Sequence, residues 1–178
     1  MKPHAVIDIE TLDTVPSAHL LSVGAVRFNP MNPNYDDFTS IHLHFNKFQP
    51  GRTASQKTIE WWGNQSKEAC SNVTQTGVHP SKFPTHMQNL EALKNFLQGV
   101  GLIWAKPPSF DRVILDDFHS WLDVPTPWTF RQWYDVRTLE LITSEIGEIQ
   151  FEGVKHLALD DARHEGKMVK KFYELTNS

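Results

Sequence analysis

The sequence contains a single cysteine, Cys70, so no disulfide can form within the chain, a composition that suits a reducing cytosol. It lacks any stretch approaching the roughly 20 consecutive apolar residues of a membrane span, and no membrane partner is expected. The apolar run near the start, Ala5-Val6-Ile7, meets Asp8 and Glu10 well before the about 7–15 apolar residues of a signal-peptide core. Basic charge is also scarce: 17 Lys and Arg face 21 Asp and Glu, a formal net charge of -4. That balance argues against a protein that coats nucleic acid electrostatically. It still allows binding through a few contacts neutralised by bound cations. Hydrophobic residues at 39% and charged residues at 21% are ordinary globular usage, so disorder is not the expectation, and residues 1–178 read as one domain with its own core.

Residues 4–9 and 20–28 read as Val- and Ile-rich strands. Residues 38–45 alternate, with Phe38, Ile41, Leu43 and Phe45 set against Thr39, Ser40, His42 and His44, which indicates a half-buried strand. Turn residues 29–34 join the last two, so the three strands predict an antiparallel meander. Residues 46–57 read as loop, 58–72 as one helix and 77–84 as loop again. Thr85-His86-Met87-Gln88 fits a capping box, followed by Met87, Leu90, Leu93 and Leu97 at helical spacing and by Gly99 and Gly101 as stops. Residues 102–105 form a short buried strand. Helices are predicted over 109–122, with Ser109 available as N-cap and Trp121 facing the core beside Val113 and Ile114, over 137–146, and over 158–175. Strands followed by alternating helix and strand predict an α/β domain with a mixed sheet.

Three places carry chemistry. Asp8 and Glu10 lie two apart on a strand, so both carboxylates project from one face and repel each other unless a cation neutralises them. Asp111 falls in the first turn of its helix, where the helix dipole alone would favour a carboxylate. In the last helix, at about 100° per residue, Ala158, Ala162, Met168, Val169 and Phe172 share one face. Asp161 falls on that face and needs a partner there, with His156 just ahead of the helix. Asp160 falls on the opposite side as a solvated charge. Glu165 also falls on the apolar face, with no assigned role. Four carboxylates and a histidine suit two-metal phosphoryl transfer, the histidine taking a proton from the attacking water.

Asp8-Ile9-Glu10, Phe110-Asp111 and His156-Leu157-Ala158-Leu159-Asp160-Asp161 together resemble the three motifs of the DEDDh branch of the DnaQ-like exonuclease superfamily, over nearly the whole chain. Thr58-Ile59-Glu60-Trp61-Trp62, Ser109-Phe110-Asp111 and Asp135-Val136-Arg137-Thr138 are similar to segments of phage DexA-type exonucleases, and related bacterial exoribonucleases share the core pattern. The resemblance implies an RNase H-like fold: three antiparallel strands, then parallel additions, flanked by helices. It implies two Mg²⁺ or Mn²⁺ ions organised by Asp8, Glu10, Asp111 and Asp161, with His156 as general base and Glu10 also touching the terminal 3'-hydroxyl. Thr11, Leu12, Ser109 and Phe110 would contact the substrate, the 3' end of a single strand of DNA or RNA. An RNA-only enzyme and an inactive nucleic-acid-binding module are the alternatives. Relatives further imply a homodimer and a location in the cytosol of a bacterium or a phage-infected host. Pro107-Pro108 departs from the polar residue usual before the second-motif Asp. The many aromatics, Trp61 and Trp62 among them, are read mainly as core, and Arg131 and Arg137 as phosphate or interface contacts.

Overall fold

The computed structural model describes residues 2–74, 84–142 and 149–177. The first three strands form the expected meander: β1 (His4–Thr11), β2 (Leu20–Phe28) and β3 (Thr39–His44). Next come α1 (Gln56–Gly63), α2 (Lys67–Thr74), α3 (His86–Phe96), β4 (Leu102–Ala105) and α4 (Pro108–Trp121). The chain then forms β5 (Trp133–Asp135), α5 (Val136–Ile142) and α6 (Ala158–Thr176). The sheet order is β3-β2-β1-β4-β5, with β1–β2 and β2–β3 antiparallel and β1–β4 and β4–β5 parallel. This is the RNase H-like mixed sheet that the sequence implies.

Strand alternation divides the core into two layers. Ala5, Ile7 and Ile9 of β1 join Val23, Ala25 and Leu43 against Leu90 and Leu93 of α3 and Ile114, Leu115 and Phe118 of α4. On the other face Val6, Val26, Phe28 and Trp104 meet Ala162, Met168 and Val169 of α6 and Val136 and Leu139 of α5. Phe38, outside β3, packs with this second layer, not with Ile41 and Leu43 as the alternation suggested.

Several local readings change. The single helix over 58–72 is two, because Trp62 and Ser66 each take a tertiary or capping role. The indole Nε1–H of Trp62 donates to Thr11 O at 2.9 Å, Asn64 is the C-cap of α1, and Ser66 Oγ accepts the Ala69 N–H at 3.1 Å. α1 also starts earlier than Thr58, since Ser55 Oγ accepts the Thr58 N–H at 3.1 Å. The Thr85–Gln88 capping box is formed as expected, although Met87 is 51% exposed. Ser109 does not cap α4: Pro107 is the N-cap and makes no side-chain capping bond. Trp121 is half-buried against the core, but Val113 faces outward. β5 has only three residues, too few for a periodicity to show. The loop expected over 77–84 falls almost wholly outside the described residues, as does the end of the helix expected over 137–146.

Gly24 sets how closely α6 approaches the sheet. It pairs with Asp8 across β1–β2, and a Cβ built on it would lie 2.2 Å from the backbone carbon of Ala158 and the nitrogen of Leu159. The obstructing atoms are backbone, so no rotamer change relieves the clash. Gly24→Ala is expected to destabilise the fold by about 3 kcal/mol and to push Asp161 away from Asp8. A denaturant melt of the variant checks this; a midpoint equal to wild type would show that α6 can retreat at no cost.

Candidate active site

The site forms where β1 runs past the end of its parallel partner. Pairing of β1 with β4 stops at Val6 opposite Trp104. Beyond it the Ile9 N–H donates to Asp111 Oδ1 at 3.2 Å, so the first turn of α4 is joined to β1 by a carboxylate instead of a ladder bond. Asp111 is 3% exposed. The helix-dipole role seen in the sequence is therefore secondary to this bond between distant segments. Asp8 and Glu10 project from β1 toward α6. After Glu10 the register with β2 shifts, which turns Thr11 out of the regular ladder.

α6 delivers Asp161. Its N-terminus lies directly over Gly24, and the backbone N–H groups of His156 and Leu157 interact with the Asp161 carboxylate. His156 has φ +65°, a left-handed conformation uncommon for a non-glycine residue and frequent where function constrains the backbone. Its ring and that of Trp61 meet in a T-shaped contact with centroids 4.8 Å apart. Asp160 is not a solvated charge. Its side chain is 15% exposed and accepts the Val154 N–H at 3.0 Å, against Gly153 at φ +106°. A Cβ at Gly153 would lie 2.5 Å from Asp160 Oδ2. Asp160 thus fastens the loop carrying His156 to α6.

Ligand atoms of Glu10, His156 and Asp161 all lie within 4.8 Å of one another. Burial, then repulsion by Glu10, Asp111, Glu165 and Asp161, pushes the Asp8 carboxyl well above the usual range. Burial followed by Asp161 and Asp111 does the same to Glu10. Burial raises Asp111 to about 7 against the N–H bonds that oppose it, and raises Asp161 to about 6. A cation beside such carboxylates offsets their burial and mutual repulsion, and an acidic oxygen set fits a hard divalent ion. Burial, with Lys155 nearby, lowers the His156 imidazole, so its ring is neutral at pH 7.

Beside Glu10 opens a cleft of about 350 Å³, within the range of small-ligand sites. Thr11, Thr58, Trp61, Trp62 and Phe110 are among the residues that line it. Of the four suggested substrate contacts, Thr11 and Phe110 are on this wall. Leu12 packs beside Leu21, Trp62 and Ala69, and Ser109 is exposed in the first turn of α4. Trp61 stood among aromatics read mainly as core, with no role of its own, yet it is 41% exposed and touches both the cleft and His156. Its adjacency to the buried Trp62 was the available signal, because successive residues on a helix point about 100° apart and this short helix buries only Trp62. The Arg137 charge reaches Asp111 and lowers its carboxyl, whereas the Arg131 guanidinium lies 5.5 Å from the Phe130 ring.

A mixed sheet with a carboxylate cluster at the open end of its central strand defines the RNase H-like class. Within that class the chain belongs to the 3'-5' exoribonuclease Rv2179c-like domain family, whose model matches residues 3–173. It is 33% identical over 128 residues to an exodeoxyribonuclease of Enterobacteria phage T4; the match covers 63% of this chain and 53% of that protein, so the chain spans about half of the relative's length. Among solved structures it resembles the nuclease domain of 3'hExo, a DEDDh family member bound to rAMP. That similarity has a TM-score of 0.69 at 13% identity and covers 97% of this chain and 92% of the other. It also resembles S. pombe Pop2p in a form with Mg²⁺ and Mn²⁺ bound, at a TM-score of 0.62 and 13% identity over 96% of this chain and 82% of that one. Among the described residues, no helix is long and apolar enough to cross a membrane.

Proposed function

We propose that this chain removes nucleotides one at a time from the 3' end of a single nucleic-acid strand by metal-dependent hydrolysis. The observation that carries the reading is the gathering of Glu10, His156 and Asp161 within 4.8 Å beside an aromatic-walled cleft. Asp8, Glu10, Asp111 and Asp161 would hold two Mg²⁺ or Mn²⁺ ions. When bound, the ions supply Lewis acidity to the phosphodiester and acidify a water.

The chain's own groups do the rest. Phe110 and Trp61 offer faces on which the terminal base can stack, while Thr11 closes the cleft beside Glu10. Glu10 also stands where a 3'-hydroxyl entering the cleft can donate to it. Hard cations prefer the carboxylate oxygens, which leaves the neutral imidazole of His156 to accept the proton of the attacking water. Trp61 limits the movement of that ring. The reading includes a cytosolic enzyme, since a chain whose single cysteine is Cys70 forms no internal disulfide. It also includes a homodimer, for which Leu141 and Ile142 of α5 stand 87% and 64% exposed.

The family description favours RNA as substrate, whereas the phage relative acts, by its name, on DNA. Incubating 5'-labelled single-stranded DNA and RNA of one sequence with Mg²⁺ or with EDTA tests both points. A ladder shortening from the 3' end, lost in EDTA, is expected. Shortening of RNA alone would restrict the enzyme to exoribonuclease work, and intact strands of both kinds with Mg²⁺ would overturn the proposal in favour of a binding module.

A further inference from the structure

α6 carries one buried carboxylate that the proposed reaction does not use. Glu165 lies one turn beyond Asp161 and is 6% exposed, on a face otherwise built from Ala162, Met168 and Val169. Its Oε2 is buried and receives no hydrogen bond. A carboxylate in that state is costly, and an apolar side chain would fill the same place at no such cost. The groups that act on it are Asp111 and Asp161, which raise its carboxyl after burial itself, with Lys106 opposing and Glu140 adding to the rise. Glu165 in turn acts on Asp8. Lys106 is paired with Glu140 at 2.5 Å, so it is not dedicated to Glu165. The orphaned oxygen therefore sits on the buried side of α6, one turn from Asp161 on the helix that packs over β1, where its charge is felt by Asp8 and Asp111.

Resting on the site reading above, we propose that Glu165 is a fifth carboxylate of the metal centre, a positioning residue whose Oε2 accepts a hydrogen bond from a water on a cation held by the site's other carboxylates. Mg²⁺ gives up its waters reluctantly, so a site that holds it retains several. Each retained water is a strong donor and needs an acceptor. Carboxylates that ligate the cation have spent oxygens on it, whereas Glu165 Oε2 has not. Partners of this indirect kind are worth about 10–100-fold in metal affinity.

The test is Mn²⁺ titration of the full chain by calorimetry, with electron paramagnetic resonance to count bound ions, on wild type, Glu165→Gln, Glu165→Met and Asp8→Asn. The expected result is a dissociation constant raised about tenfold in both Glu165 variants and binding largely lost in Asp8→Asn. A purely structural Glu165 would alter metal-free melting but leave Mn²⁺ affinity in place. Affinity within twofold of wild type in both Glu165 variants, with Asp8→Asn still defective, overturns this inference alone. A wild-type chain that binds no Mn²⁺ overturns it together with the site reading. Should Glu165→Met not fold, the isosteric Glu165→Gln decides by itself.

Discussion

Asp111→Asn is expected to make the metal-free protein more stable at pH 8 while removing about 10³-fold or more of its turnover. Both effects come from one buried carboxyl. Burial raises Asp111 from 3.8 to about 7, so its contribution to stability is complete below about pH 4 and is lost as pH rises through about 7. Holding it ionised at pH 8 costs on the order of 4 kcal/mol. Asparagine removes the charge, can still accept the Ile9 N–H, and relieves the repulsion on Asp8 and Glu10. At about 2–4 °C per kcal/mol for a chain of this size, the variant should melt roughly 10 °C higher at pH 8 in EDTA. The difference should close toward pH 4. Saturating Mn²⁺ should reverse the order, because only the wild type gains the full binding energy of the ions. Melting curves at pH 4, 6 and 8, with EDTA and with Mn²⁺, provide the check. A variant less stable than wild type in EDTA at pH 8 would mean that the Asp111–Ile9 bond outweighs the buried charge.

His156→Ala should lower turnover by about 10²–10⁴-fold, the usual weight of a general base, with substrate binding nearly unchanged. The imidazole is close enough to Glu10 and Asp161 to be a ligand instead, and Mn²⁺ affinity separates the two roles. An unchanged dissociation constant with lost turnover identifies a base; a weakened one identifies a ligand. The lost edge contact with Trp61 is minor beside either effect. Turnover at the wild-type rate would remove His156 from the mechanism.

The parts of the site that were legible in the sequence are those whose geometry is local. Asp8 and Glu10 share a strand face because strands repeat every two residues, and Asp161 faces inward because α6 repeats every 3.6. The same wheel misplaced Asp160. It gives the direction of a side chain from its helix, but not the Gly153–Val154 loop that folds back to meet that side chain. The helix over 58–72 failed for a similar reason, since its break rests on Trp62 reaching Thr11. Taken alone, Asp111 read as a helix-dipole residue and only the resemblance implied a metal ligand; its bond to the Ile9 N–H, 102 residues away, was out of reach of either.

By itself the sequence determined the meander, the helices with apolar faces, and the residue types that a metal-dependent nuclease requires, because periodicity and motif spacing operate within a few turns or strands. Only the tertiary structure decided that α6 crosses the sheet over Gly24, that Trp61 faces the cleft while Trp62 is buried, and that Glu165 is buried with an oxygen that receives no hydrogen bond. Those outcomes depend on backbone approach and on charges from distant segments meeting in one buried cluster, where burial and mutual repulsion alter the chemistry of each group.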